Sequence, residues 1–252
     1  MVRALILGGT AEASTLARRL AGDARFDALL SFAGVTRAPL LPPIAVRIGG
    51  FGGAEGLAAF LREGGFDLLI DATHPFAVQI KRNAAEAAAQ AGVRRLVVLR
   101  QEWVAHAGDR WRQVADMAEA AKALGETPRR VLLTVGRKDL APFVAAPRHQ
   151  YVLRSVDAPG DAFVPPGAVV IAARGPFILA DEIALLAAHR IDAIVTKNSG
   201  GDATVAKLEA ARTLGIDVVM VRRPAAPKGE VVADVEQAWR WLEHQAAVLR
   251  GV

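Results

Sequence analysis

The sequence predicts an α/β protein of two similar halves, each a largely parallel sheet flanked by helices. Three observations predict it. The chain opens on a short apolar run, Val2 and Ala4 to Leu7, which breaks at Gly8-Gly9-Thr10 and passes into a helix-like stretch, Ala11 to Leu20, with apolar positions at 13, 16, 17 and 20. Apolar strand-length runs then alternate with helix-length stretches to the end of the chain. The tail also repeats an earlier pattern. Val114-Ala115-Asp116 through Ala120 to Leu124 matches Val232-Ala233-Asp234 through Ala238 to Leu242, each a short apolar lead, an Asp cap and an amphipathic helix. Each copy is read as closing one half, so the halves are placed at residues 1–126 and 127–252, joined at Thr127-Pro128-Arg129-Arg130. That connection is expected to let the halves move.

The opening unit carries the first functional signal. Strand, glycine turn and helix begin a dinucleotide-binding fold, in which glycines admit a phosphate close to the backbone and the helix N-terminus offers free N–H groups to it. Counted from Gly8 the pattern is Gly8-x-Thr10-x-x-Ala13, an imperfect match to G-x-G-x-x-G. Asp27 to Phe32 is the second strand. In NAD-specific folds an acidic residue at its end binds the ribose 2′-OH. Here that place holds Ser31-Phe32-Ala33-Gly34-Val35-Thr36-Arg37, with hydroxyls and an Arg but no carboxylate. A 2′-phosphate is welcome there, so NADPH is expected over NADH.

Ile44 to Ile48 is the third strand, followed by Gly49-Gly50-Phe51-Gly52-Gly53 and a helix from Ala54 to Glu63. Phe66 to Asp71 is the fourth. It ends in Asp71-Ala72-Thr73-His74-Pro75-Phe76-Ala77 before an Ala-rich helix, Val78 to Ala91, which puts Thr73 and His74 at the carboxyl edge where open parallel sheets bind ligands. Arg94 to Arg100 is a fifth strand, and Trp111 to Val114 a short one. In the second half the strands are Val131 to Val135, Tyr151 to Val156, Ala168 to Ala173, Ala193 to Val195 and Asp217 to Val221, with helices from Ile178 to His189 and up to Leu214. Asp157 to Gly167 is read as a loop.

Composition narrows the function. The chain has 252 residues, 52% of them hydrophobic, which is ample for a buried core. With no Cys, disulfides and thiolate metal sites are excluded, no metal site is expected, and a reducing cytoplasm suits the chain. No signal peptide is read at Met1-Val2-Arg3, and no apolar run reaches the roughly 18 residues of a membrane helix. The net charge is +5, but no Lys/Arg block exceeds two residues and aromatics make up only 6%. Nucleic acid is therefore disfavoured, and an anionic small molecule fits the excess better.

Four stretches, in order and spacing, resemble one family along nearly the whole chain: Ile6-Leu7-Gly8-Gly9-Thr10-Ala11-Glu12-Ala13, Asp71-Ala72-Thr73-His74-Pro75-Phe76-Ala77, Ala173-Arg174-Gly175-Pro176-Phe177 and Thr196-Lys197-Asn198-Ser199-Gly200-Gly201. The sequence resembles the precorrin-6A reductases, including their cobalt-precorrin-6A relatives. The resemblance implies an NADPH-dependent reductase of cobalamin biosynthesis that reduces one C=C bond of precorrin-6A, a tetrapyrrole-derived macrocycle, to give precorrin-6B. It implies two Rossmann-like domains facing each other across a cleft, and it leaves the metal-free and cobalt branches unseparated. A monomer is compatible with it.

On this reading the first half holds NADPH through Gly8, Gly9, Thr10, Ser31 and Arg37, with Glu12, Asp71, Ala72 and Thr73 added from the resembling stretches. The second half holds the acetate and propionate carboxylates on a basic rim, Arg137, Lys138, Arg174 and Lys197 at successive strand ends. Asn198, Ser199, Gly200 and Gly201 join that set, and His74 reaches the substrate from the first half. Reduction also needs a proton, for which His74 is the candidate acid and Lys197 or water the rival. The Asp71 to Ala77 loop is expected to face the Thr196 to Asp202 loop. Two other readings compete. A short-chain dehydrogenase needs a Tyr with a Lys four residues on, but the sole tyrosine, Tyr151, has Ser155 there. A nucleotide-sensing protein without turnover is opposed only by the basic strand ends.

Overall fold

The computed structural model describes residues 1–33, 42–156, 164–225 and 228–251. In chain order its first elements are β1 (Val2–Leu7), α1 (Ala11–Ala21), β2 (Phe26–Phe32), β3 (Ala45–Ile48), α2 (Ala54–Glu63), β4 (Leu68–Asp71), α3 (Val78–Ala91), β5 (Arg94–Val98), β6 (Trp111–Val114) and α4 (Met117–Ala123). There follow β7 (Arg130–Thr134), α5 (Ala141–Val144), β8 (Gln150–Ser155), β9 (Val169–Ala172), α6 (Leu179–Ala188), β10 (Ala193–Lys197), α7 (Ala206–Leu214), β11 (Asp217–Val221), β12 (Glu230–Val232) and α8 (Val235–Arg250).

Two six-stranded sheets result, in the orders β12-β5-β4-β1-β2-β3 and β6-β11-β10-β7-β8-β9, and the strand pairings are parallel. The central strands of the first sheet, β1, β4 and β5, are mostly buried between helices on both faces, which is why they read as largely apolar runs. Ala4 and Ile6 pack with Leu16 and Leu20 of α1 and Leu242 of α8. Leu5 and Leu7 point the other way, onto Leu57 and Leu61 of α2 and Ala84 and Ala87 of α3. In the second sheet Leu132, Ile194 and Met220 pack with Leu186 of α6 and Leu208 and Ala211 of α7. Full burial of each such Leu or Ile contributes about 1.5–3 kcal/mol.

The expected division at residues 126 and 127 is corrected by these pairings. One unit comprises Met1–Gln101 and Pro224–Val252, the other Glu102–Arg223. The strand of the first repeat copy, β6, lies not on the first sheet but against β11, with Val218 opposite Trp111 and Val221 opposite Val114. The strand of the second copy, β12, returns to the first sheet beside β5, with Glu230 opposite Leu96 and Val232 opposite Val98. Each strand–cap–helix copy thus completes the sheet begun by the other half. Thr127-Pro128 lies inside the second unit, between α4 and β7, and not at a boundary. Both copies have the expected cap: Asp116 Oδ1 accepts from Glu119 N at 2.8 Å and Asp234 Oδ1 from Gln237 N at 2.7 Å.

The two units differ after their central strands. β1 leads into the eleven-residue α1. β7 leads only into a tight 3-10 turn at Arg137–Asp139 and the four-residue α5, an element the sequence reading did not anticipate.

Candidate functional site

In the first unit the strand ends line up: Leu7 is opposite both Ser31 and Asp71 in the register. Beyond Leu7 the chain must turn where β2 crowds it. A Cβ on Gly8 would lie 2.8 Å from Leu30 Cδ1, and Gly8 N donates to the Ser31 carbonyl at 2.9 Å. Gly9 has φ +116° with open space where a side chain would project. Thr10 then caps α1: its Oγ1 accepts from Ala13 N at 3.2 Å and donates to the Ala72 carbonyl at 2.7 Å. One hydroxyl therefore ties the glycine turn to the end of β4. The turn, open on the Gly9 side, and the helix N-terminus form a backbone cradle of the kind that takes a pyrophosphate, so the residues present fit a dinucleotide.

The other expected cofactor residues take distinct places. Glu12 is ion-paired with Arg100 at 3.0 Å, which offsets a negative charge in the first turn of α1. Ser31 is buried at the end of β2. Arg37 lies outside the described residues. Asp71 is fully buried, and its Oδ1 accepts from Thr73 N at 3.1 Å, Thr73 Oγ1 at 2.6 Å and Lys81 Nζ at 3.1 Å. Lys81 also donates to the Thr73 carbonyl at 3.3 Å. The Asp71 side chain thus braces the loop after β4. Asp71 Oδ2 has no hydrogen-bond partner among the described residues. Burial lowers the guanidinium pKa of Arg95 from its ordinary value, against the opposing pull of Asp71.

His74 follows on that braced loop. Its Nδ1 accepts from Phe76 N at 3.2 Å, and its carbonyl accepts from Ala77 N at 2.8 Å. With Nδ1 accepting, a neutral His74 carries its proton on Nε2.

In the second unit the basic residues do gather at the carboxyl edge. Arg137 and Lys138 are exposed just past β7, Lys197 ends the neighbouring β10, and Arg174 is exposed past β9, two strands along from β7. Lys197 is not a lone cation. Its Nζ lies 2.6 Å from Asp139 Oδ2, with both side chains mostly covered. Asn198 and Ser199 are buried, and Gly200 and Gly201 have φ +66° and +84°. Ser199 N donates to the Lys197 carbonyl at 2.7 Å, and Arg223 Nε to the Asn198 carbonyl at 3.2 Å.

Sequence reasoning missed several buried charges beneath these edges. Arg154 forms an ion pair with Glu182, and its guanidinium carbon lies 4.0 Å from the Phe177 ring centroid, next to the Arg174 turn. Lys81 and Lys207 are both buried near the start of the helix after a central strand. A lysine inside an Ala-rich helix was the one signal available for them. Tyr151 is excluded from short-chain dehydrogenase chemistry: its hydroxyl donates to the Ala146 carbonyl at 2.9 Å, and burial pushes its pKa up to about 12.

With this geometry in place, comparison with known proteins is informative. The family described as precorrin-6x reductase CbiJ/CobK matches residues 3–243. A precorrin-6A reductase of Sinorhizobium sp is 49% identical over 97% of this chain and 94% of its own. A cobalt-precorrin-6A reductase of Priestia megaterium is 30% identical over 96% of this chain and 98% of its own. A solved structure of CobK precorrin-6A reductase superposes with a TM-score of 0.92 at 46% identity, covering 97% of both chains. A match this long carries both sheets, both exchanged strands and each of the four quoted stretches, and so the chain belongs to the precorrin-6x reductase family.

Proposed function

We propose that this protein is an NADPH-dependent precorrin-6A reductase that reduces one C=C bond of the macrocycle to the CH–CH state. The observation that carries the reading is the cradle at Gly8-Gly9-Thr10, in a chain that the family match spans almost throughout. When bound, NADPH supplies a hydride to one carbon of the C=C bond, and the other carbon takes a proton, so the bond gains two electrons and two hydrogens. The chain's own residues do the rest. The α1 N-terminus and the Gly8–Gly9 backbone hold the pyrophosphate. Thr10, through the Ala72 carbonyl, and Asp71, through Thr73, fix the loop that carries His74. His74 Nε2–H is the donor we favour: a proton taken from solvent at Nδ1, with the Phe76 N–H bond given up, makes the imidazolium that passes its Nε2 proton to the macrocycle. Lys197, held at 2.6 Å by Asp139, serves to bind a substrate carboxylate. Arg137, Lys138 and Arg174 take further carboxylates.

The greater identity to the relative named for precorrin-6A than to the one named for cobalt-precorrin-6A supports the metal-free macrocycle as substrate. The test is loss of NADPH absorbance with each form. Faster turnover of metal-free precorrin-6A is expected. No oxidation of NADPH with either form would end the reductase reading.

A further inference from the structure

Trp103 lies just inside the second unit, in neither strand nor helix. It nevertheless makes three hydrogen bonds to the loop after β10. Its N donates to Asn198 Oδ1 at 2.8 Å, its carbonyl accepts from Asn198 Nδ2 at 3.0 Å, and its indole Nε1 donates to the Gly201 carbonyl at 3.1 Å. The first two bonds read the Asn198 amide as both acceptor and donor, which fixes its orientation. On α7, the buried Lys207 places Nζ 4.5 Å from the indole centroid and donates to the Thr204 carbonyl at 2.6 Å. The indole thus bridges the loop and the helix that follows it.

The held loop contains Gly200 and Gly201, both at positive φ. Adjacent glycines are the residues that lose most freedom when ordered, so this conformation needs outside support. We infer that Trp103 is a positioning residue for the substrate: it keeps the Lys197–Gly201 loop in one binding-competent shape, so that ordering is complete before the macrocycle arrives. This rests on the proposed assignment of that loop to substrate and deepens it.

Two variants test it. Trp103→Phe keeps a ring beneath Lys207 and removes only the Nε1–H bond to Gly201; Trp103→Leu removes both. KM for precorrin-6A should rise roughly three- to tenfold in Trp103→Phe, the cost of one hydrogen bond, and further in Trp103→Leu. KM for NADPH should stay within about twofold of wild type, because the bonds that Trp103 makes to Asn198 and Gly201 and its contact with Lys207 all lie within the second unit. A purely structural role would raise both constants or neither, and either result overturns the inference. Hydrogen exchange at the Ser199–Gly201 amides gives a second readout that needs no turnover. Faster exchange in Trp103→Phe is expected, and unchanged exchange would refute positioning even if wild type proved inactive with precorrin-6A, the outcome that would instead sink the reductase reading.

Discussion

A methyl group at Gly8 would meet Leu30 Cδ1 at 2.8 Å and Phe32 Cε1 at 3.3 Å, and Leu30 is fully buried in β2. Gly8→Ala should therefore cost about 1–3 kcal/mol of stability from overpacking and raise KM for NADPH, seen in urea unfolding and steady-state kinetics; an unchanged KM would remove the cradle from the cofactor site. Arg37→Ala should weaken NADPH binding by about 1–3 kcal/mol and leave NADH nearly unaffected. Equal wild-type affinity for the two cofactors would contradict the 2′-phosphate assignment. His149 supplies a pH test. Burial holds its imidazole below the ordinary value of 6.5, with Arg148 and Arg129 adding to the effect, and Nδ1 accepts from Arg129 N at 3.3 Å, which a protonated nitrogen cannot do. As pH falls through 6.5 the unfolded chain takes up this proton before the folded one does, so stability is full above 6.5 and declines below it. The melting temperature of His149→Gln should fall less steeply than that of wild type below pH 6.5. Single residues were legible where geometry is local: the Gly8-Gly9-Thr10 turn, the Asp116 and Asp234 caps, and His74 just past a strand end. Asp71 was not, because a carboxylate at a strand end looks like a ligand group until its three donors are seen to come from its own loop and helix.

Among elements, the β4–α3 connection carries the proposed proton donor His74, and a buried ion pair holds it. Asp71 and Lys81 have side-chain exposures of 0% and 6%. Removing one member of such a pair leaves the other charge buried without this counter-ion, at about 3–5 kcal/mol, whereas replacing both with neutral groups costs much less. Asp71→Asn should therefore destabilise more than the double variant Asp71→Asn, Lys81→Met, in a double-mutant cycle read by urea unfolding. Additive losses would show that the pair does not brace the loop. Strands were readable in sequence because burial on both faces leaves a run such as Leu68-Leu69-Ile70 wholly apolar. α5 was not, since four residues, Ala-Pro-Phe-Val, cannot display a helical period. β12, only Glu230–Val232 with two of its residues exposed, was visible merely as the lead of a capped helix.

For the whole molecule, the exchange of β6–α4 and β12–α8 is what sequence could not reveal. A strand, an Asp cap and an amphipathic helix specify local structure, but neither copy states which sheet its edge strand will join. Val231 would pair as readily in pattern with β11 as with Val97. The consequence is that the first unit is completed only by the end of the chain, after all of the second unit has intervened, a contact of high sequence separation that slows folding. α8 is fixed by Trp239, which is 8% exposed, packs on Phe26 at 6.0 Å between centroids and lies beneath the Arg19 guanidinium at 4.3 Å. Trp239→Ala should cost about 3–5 kcal/mol. The location of the loss distinguishes the two ways of dividing the chain. With α8 belonging to the first unit, amide exchange should quicken in β1, β2, β4 and β5 while β7, β10 and β11 keep their protection. A division at residue 127 would put α8 with the second half and make β7 to β11 the strands that loosen. Exchange mapped by mass spectrometry on the full-length variant decides between them, and faster exchange confined to β7, β10 and β11 would refute the exchanged arrangement.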